Sequence, residues 1–242
     1  MEVVSLYDYS GEALKAWARA GYRCYAYDIQ HAGDELRGGI HFRHADLYKM
    51  ATMRGIVRRH KGKVAFVSAF PPCTDLAASG AAWWAAKARR DSSFQTRAAR
   101  HARRCAWAAE AMGTHRYYVE NPVGALARLW RPPDARFDPC EYGGYLPRGD
   151  THPKFPRHIP PRDAYQKKTC LWVGRDFTLP PTRPVAPRSV RCTRSRSRSS
   201  RASTSRYSPQ AAKLGGRSPR TKEIRSATPR GWALAVFRAN SR

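Results

Sequence analysis

Val64-Ala65-Phe66-Val67-Ser68-Ala69-Phe70 is an apolar run that stops on Pro71-Pro72-Cys73, and no other stretch restricts the fold as tightly. A short run of Val, Ala and Phe bounded by prolines reads as a buried strand, because consecutive prolines neither continue a ladder nor curl into a helix. The thiol of Cys73 is thereby delivered at a strand's carboxyl end, the edge at which open α/β sheets bind ligands. Tyr117-Tyr118-Val119-Glu120-Asn121-Pro122 repeats the layout, with a carboxylate and an amide ahead of its proline. A nucleophile and an acid at two strand ends define a candidate site.

The chain has 242 residues, enough for one substantial core or a core with an appendage. Its net charge is +27; Arg188 to Arg242 holds 15 Lys and Arg against one acid, and residues 1–187 hold 30 against 17. Both parts are basic, which points to a polyanionic partner, most commonly nucleic acid. No apolar stretch approaches the ~20 residues of a membrane helix. The chain opens directly into strand-like Val3-Val4-Ser5-Leu6 with no signal peptide. An intracellular protein is expected, cytoplasmic, or nuclear in a eukaryotic setting, with no membrane partner and as a monomer. Six cysteines without a C-x-x-C pair suggest thiols rather than a disulfide framework. Cys140, His152, His158 and Cys170 could surround zinc, but their spacing is loose for a metal site, and no metal is expected.

Residues 3–30 read as strand, polar turn, helix and strand. Val3 to Leu6 leads into Tyr7-Asp8-Tyr9-Ser10-Gly11, a helix from Glu12 to Ala20, a stop at Gly21, and a strand from Arg23 to Tyr27 ending on Asp28. An acid at the end of the second strand is what nucleotide-type cofactors exploit for their ribose hydroxyls. Asp46 is either a third acid lining the same crevice or a cap for a helix from Leu47 to Arg59. Phe94 to Met112 carries an apolar stripe at helical spacing, with arginines on its other faces that suit solvent or phosphates. Residues 130–165, rich in Pro, Gly and Asp, read as loops, and Thr169 to Gly174 as a strand. The Arg/Ser-rich tract Arg188 to Arg206 cannot bury a core and is expected to be disordered, raising non-specific affinity for polyanions. Order is expected to resume at Thr228, with a helix through Trp232 to Phe237 docking on the sheet. The domain reading is a core over 1–187, the tract over 188–206, and a basic segment over 207–242.

In that order, the Gly turn, the acid after the second strand, Pro71-Pro72-Cys73, Glu120-Asn121, Gln166-Lys167-Lys168 and the late helix resemble the cytosine-C5 DNA methyltransferase family, in its compact, virus- or phage-type form. The resemblance spans nearly the whole chain outside the Arg/Ser tract. It implies an α/β fold: a Rossmann-like S-adenosylmethionine-dependent methyltransferase sheet with helices on both faces and a reduced recognition segment. It further implies that Tyr7, Asp8, Tyr9, Ser10, Gly11, Asp28, Ile29, Asp46 and Pro71 bind S-adenosylmethionine, Asp28 through the ribose and Asp46 through the adenine amine. By the same resemblance Cys73 attacks C6 of cytosine in DNA, Glu120 holds and protonates N3, and Pro72, Asn121, Gln166 and Lys168 meet the target nucleotide. Four features depart from the family: one glycine stands in the first loop, Pro122 follows Asn121 where valine is usual, lysine replaces arginine at Lys168, and the segment that reads DNA sequence is short.

The chemistry fits those residue types. Cytosine C5 is a poor nucleophile until a thiolate adds to C6 and breaks the aromaticity, and an acid at N3 drains the charge that builds up. C6 is unreachable inside a duplex, so the base must be extruded. Two other readings remain open: a nucleic-acid-binding protein on a methyltransferase-like scaffold without turnover, and a transferase acting on RNA or free nucleotide.

Overall fold

The computed structural model describes residues 1–194, 203–207 and 218–241. They fall into two compact units: Met1–Phe137 with Lys168–Pro180 and Val236–Arg242, and Asp138–Lys167 with Pro181–Ala235.

The first unit is a mixed α/β layer structure. Its strands are β1 (Glu2–Leu6), β2 (Arg23–Asp28), β3 (Glu35–Arg37), β4 (Ile40–His44), β5 (Val64–Ala69), β6 (Tyr117–Pro122), β7 (Ala135–Phe137) and β8 (Thr169–Val173). They form one sheet in the order β3-β4-β2-β1-β5-β6-β8-β7. β4, β2, β1, β5 and β6 run parallel, β3 is antiparallel to β4, and β8 lies antiparallel between β6 and β7. Apart from the added β3 hairpin, this is a doubly wound order with β8 inserted antiparallel beside β6. The chain builds outward from β1 through β2 to β4, then returns to β5 and β6 on the other side. That reversal makes β1/β5 the topological switch point, where such sheets bind ligands beyond their carboxyl ends.

Every residue of β1 is buried, as a strand covered on both faces must be. On one face Val4, Leu6 and Val67 meet Met53 and Ile56 of α2 (Met50–His60) and Ala99, Ala102, Cys105 and Ala109 of α4 (Phe94–Ala111). The alanines let α4 lie close to the sheet. On the other, Trp17 of α1 (Lys15–Arg19) stacks on Phe66 at 5.0 Å and takes Phe237 edge-on at 5.2 Å. Truncating a fully buried Trp of this kind costs about 3–5 kcal/mol.

The second unit is held by polar bonds around little regular structure. Asp138 opens a 3-10 turn over Pro139–Tyr145 with a capping box to Glu141. Arg230 meets Asp150 through both guanidinium nitrogens, 2.8 and 2.5 Å, and the Gly231 amide donates to Asp163 Oδ2 at 2.8 Å. Phe155, Ile159, Tyr165 and Ile224 form its small apolar cluster.

Several elements differ from the sequence reading. β4 and β7 were not expected: β4 offers only Ile40 and Phe42 as apolar residues among two histidines and an arginine, and β7 only Ala135 and Phe137. The helix read from Leu47 starts at Met50, because Asp46 Oδ1 accepts the Tyr48 amide at 3.1 Å and holds a turn there. Residues 138–165 group with the carboxyl-terminal segment rather than with the sheet. A helix over Pro219–Ser226, α6, precedes Thr228; its cap is Ser218, which accepts from the Thr221 amide. It follows the short helices α3 (Trp84–Arg90) and α5 (Leu126–Leu129), and α7 spans Arg230–Asn240. Of the Arg/Ser tract, Val190–Arg194 pairs antiparallel with Ser203–Tyr207, while 195–202 lies outside the described residues.

At the amino edge, buried His60 joins Glu2 and Tyr27: Nδ1 lies 2.8 Å from Glu2 Oε2 and Nε2 lies 2.7 Å from the Tyr27 hydroxyl. A neutral imidazole satisfies both, donating to the carboxylate and accepting from the phenol. Burial holds His60 below its ordinary value near 6.5, with the Glu2 hydrogen bond opposing. A lowered folded value means stability that is present above pH 6.5 and lost as pH falls through the folded value. Thermal melts from pH 7.5 to 5 should therefore fall more steeply for the parent chain than for His60→Gln.

Candidate active site

The register of the central strands places the candidate residues side by side. Ala69 pairs with Leu6 on one side and Val119 on the other, so the chain leaving β5 passes between Tyr7 and Glu120. Asn121 Nδ2 then donates to the Pro71 carbonyl at 2.9 Å. Beyond Cys73, the Leu76 and Ala77 amides both donate to the Cys73 carbonyl, at 2.9 and 2.8 Å. The segment after β6 closes the loop: Ala125 N donates to Leu76 O at 2.8 Å, and Ala78 N to Val123 O at 2.9 Å. The loop carrying Cys73 is thus fastened to the β6 exit at both of its ends. Cys73 is exposed and Glu120 half-buried at one edge of the sheet.

Asn121, expected at the substrate, is itself buried and spends its amide on Pro71; its Oδ1 has no hydrogen-bond partner among the described residues. Lys168 immediately precedes β8, whose first residue Thr169 pairs with Pro122, so it also reaches this edge. Gln166 belongs to the second unit.

The loop after β1 is braced from within. Tyr7 sits in the left-handed region at φ 57°, and Gly11 does so at φ 66°. A Cβ on Gly11 would come 2.7 Å from the Phe42 ring, so conformation and space both require glycine. Asp8 turns inward and accepts from Ser5 Oγ at 2.8 Å, Ser10 Oγ at 3.1 Å and Gly11 N at 2.7 Å. Burial raises its carboxyl, against those three donors. Asp8 shapes the loop and does not face outward as a cofactor contact would. The Tyr7 hydroxyl donates to Leu47 O at 3.0 Å and meets His101 Nδ1 at 3.1 Å.

Asp28 is buried at the end of β2. Its Oδ1 accepts from the Gln30 amide at 2.8 Å, while Oδ2 takes no hydrogen bond from the described residues. Asp46 Oδ2 lies 3.5 Å from Lys49. Around these acids, Tyr9, Ile29, Tyr48, Trp83 and Val123 follow β1, β2, β4, β5 and β6 in turn, each between 42% and 58% exposed. Exposed apolar residues just past the ends of β1, β2, β4 and β6 make this rim the natural place for a partly apolar ligand. A cleft of about 420 Å³ opens beside Pro72 and Thr74, with Tyr48, Arg100, His101 and Arg104 on its walls. Sequence reasoning missed Tyr48, Val123 and His101; strand order brings the first two to the edge, and α4 carries His101 to the Tyr7 hydroxyl. Among the described residues no group of three His, Cys, Asp or Glu could hold a metal ion. No described helix is long and apolar enough to cross a membrane.

No protein-family model matches the chain, and no curated protein does. Among crystal structures it is similar to a candidate DNA modification methyltransferase encoded within an E. coli prophage, at a TM-score of 0.42 and 12% identity. That match covers 83% of this chain and 62% of the other, so this chain spans under two thirds of that protein's length.

Gly124 sets the tolerance of the loop fastening, because a Cβ there would lie 1.8 Å from the Leu76 carbonyl oxygen. Gly124→Ala should cost about 2–3 kcal/mol as overpacking against backbone. Gly55→Ala, in α2 with nothing within 4 Å, should be neutral or stabilising. Urea midpoints of both variants check this.

Proposed function

We propose that this chain transfers a methyl group from S-adenosylmethionine to C5 of cytosine in DNA through a covalent bond from Cys73 to C6. The observation that carries the reading is the double fastening of the Cys73 loop to the strand end that bears Glu120, next to the switch point. Separate loops would leave thiol and carboxyl free to drift, whereas a shared anchorage fixes them relative to one base.

The residues at the edge fit the cofactor. Asp28 keeps one carboxylate oxygen available for ribose hydroxyls, and exposed Ile29 and Tyr9 offer apolar surface for a purine. Bound there, S-adenosylmethionine supplies an electrophilic methyl group. The chain's own residues do the rest. The Cys73 thiolate adds to C6 and makes C5 enamine-like, and Glu120 delivers a proton to N3 as that charge develops. Once C5 has taken the methyl group, water removes the C5 proton as the C6–S bond breaks, which frees the Cys73 thiolate, and N3 returns its proton to Glu120. Asn121 positions the Pro71 carbonyl, and through it the turn into Cys73. Lys168 stands where the family resemblance puts a contact to the target nucleotide.

The competing reading, a binding protein without turnover, draws on Asp8, which is spent inside the loop rather than on a ligand. Equilibrium binding of S-adenosylmethionine separates the two, since a scaffold without cofactor affinity cannot be the transferase.

Duplex DNA carrying 5-fluorocytosine tests the chemistry directly, because fluorine at C5 cannot depart as a proton does. With S-adenosylmethionine present, the parent chain should become covalently attached to this DNA, and Cys73→Ser should not. Glu120→Gln should slow attachment by roughly 10²–10⁴-fold, the usual worth of a positioned general acid. A parent chain that binds the cofactor yet forms no adduct would overturn the proposal. Labelled-methyl transfer compared on DNA, RNA and dCTP identifies the acceptor.

A further inference from the structure

We propose that the outward face of α4, centred on Arg100 and Arg104, grips the phosphates of a duplex DNA substrate beside the Cys73 loop. This rests on the reading that DNA is the substrate and adds where its backbone is held.

The helix divides its residues sharply. Phe94, Ala99, Ala102, Cys105, Ala106 and Ala109 are buried, and Arg97, Arg100, Arg103 and Arg104 occupy other faces. Two of those arginines are engaged elsewhere: Arg97 is ion-paired with Asp91, and Arg103 donates to the Leu129 carbonyl and does not line the cleft beside Cys73. Arg104 gives one N–H to the Tyr48 carbonyl at 3.1 Å and keeps its charge. Arg100 is exposed and makes no hydrogen bond or ion pair with the described residues. The one carboxylate on the cleft wall, Asp75, is neutralised by Lys87. Arg100 and Arg104 therefore line a cleft that Pro72 and Thr74, the neighbours of Cys73 in sequence, also line. His101 is held below its ordinary value by burial first and then by Arg104 and Arg100, with Asp46 opposing.

The arrangement suits a polymer of phosphates better than a single anion. Arg100 and Arg104 stand four residues apart on one face, about 6 Å along the helix at ~1.5 Å per residue. Phosphates of one DNA strand advance about 3.4 Å along the axis, so the pair spans roughly two of them. A net charge of +27 favours the same partner at longer range.

Fluorescence anisotropy with a short labelled DNA duplex, titrated across salt, tests the surface on the full chain. Arg100→Glu with Arg104→Glu should weaken binding about tenfold or more at low salt and lower the slope of log affinity against log salt by roughly 2. Arg54→Glu with Arg58→Glu makes the same charge change on exposed residues of α2 and should weaken binding less than about threefold. Arg100→Gln with Arg104→Gln, checked by circular dichroism, decides the matter where the glutamate pair disturbs folding. Equal loss from the α2 and α4 pairs, or no loss from the α4 pairs, overturns the inference and leaves the Cys73 chemistry standing. Tighter binding of duplex RNA overturns it in favour of RNA. A parent chain that binds no duplex DNA overturns it together with the proposed substrate, whereas intact binding without Cys73 trapping sinks only the proposed chemistry.

Discussion

Parallel pairing of β5 with β6 is the constraint on which the candidate site depends. It sets the two carboxyl ends side by side, and three bonds beyond the strands extend the alignment into the loops: Asn121 to Pro71, Ala125 to Leu76, and Ala78 to Val123. Each such bond contributes only about 1 kcal/mol net, so the gain is in geometry more than in stability. Pro71 and Pro72 add their own restriction by fixing φ on the way into Cys73. The close approach at Gly124 leaves no room for the two segments to move apart and re-pack. The exposed Cys73 thiol is thereby carried on a short loop without the freedom such loops usually have.

The parts of this fold that could be read from sequence are those whose signal is local. The run Val64 to Ala69 announces a buried strand by composition alone, and Pro71-Pro72 announces its end. Phe94 to Ala111 announces a helix by its apolar spacing. β4 and β7 were illegible because each carries few apolar residues of its own; pairing of β4 with β2 and β3, and of β7 with β8, supplies what composition does not. The same holds for the site. Cys73, Glu120 and Asp28 are legible because each follows a recognisable strand. Tyr48 and Val123 are not, since their place at the rim follows from the order β4-β2-β1-β5-β6, which no local window contains. Asn121 was legible as a site residue but not in its role, because the partner that occupies its amide lies fifty residues away.

α4 joins two jobs that usually fall to separate elements. Its alanine stripe packs against the sheet that orders Cys73, and its arginines stand outside along the same cleft. A charge placed on so closely packed a helix costs little to hold still, because the backbone is already ordered by the core.

The loop after β1 bears on whether such a scaffold retains its cofactor. Fewer glycines would ordinarily mean a turn too wide for a ligand to approach the backbone. Here two left-handed residues, Tyr7 and Gly11, make the turn, and the buried Asp8 carboxyl between them ties Ser5, Ser10 and the Gly11 amide into one knot. A non-glycine residue in that region costs about 1–2 kcal/mol, and the Tyr7 hydroxyl bond to Leu47 helps to offset it. Side-chain bonding thus does what backbone freedom does in a glycine-rich loop. The number of glycines is a poor gauge of ligand access here, because the tightness of this turn is set by Asp8.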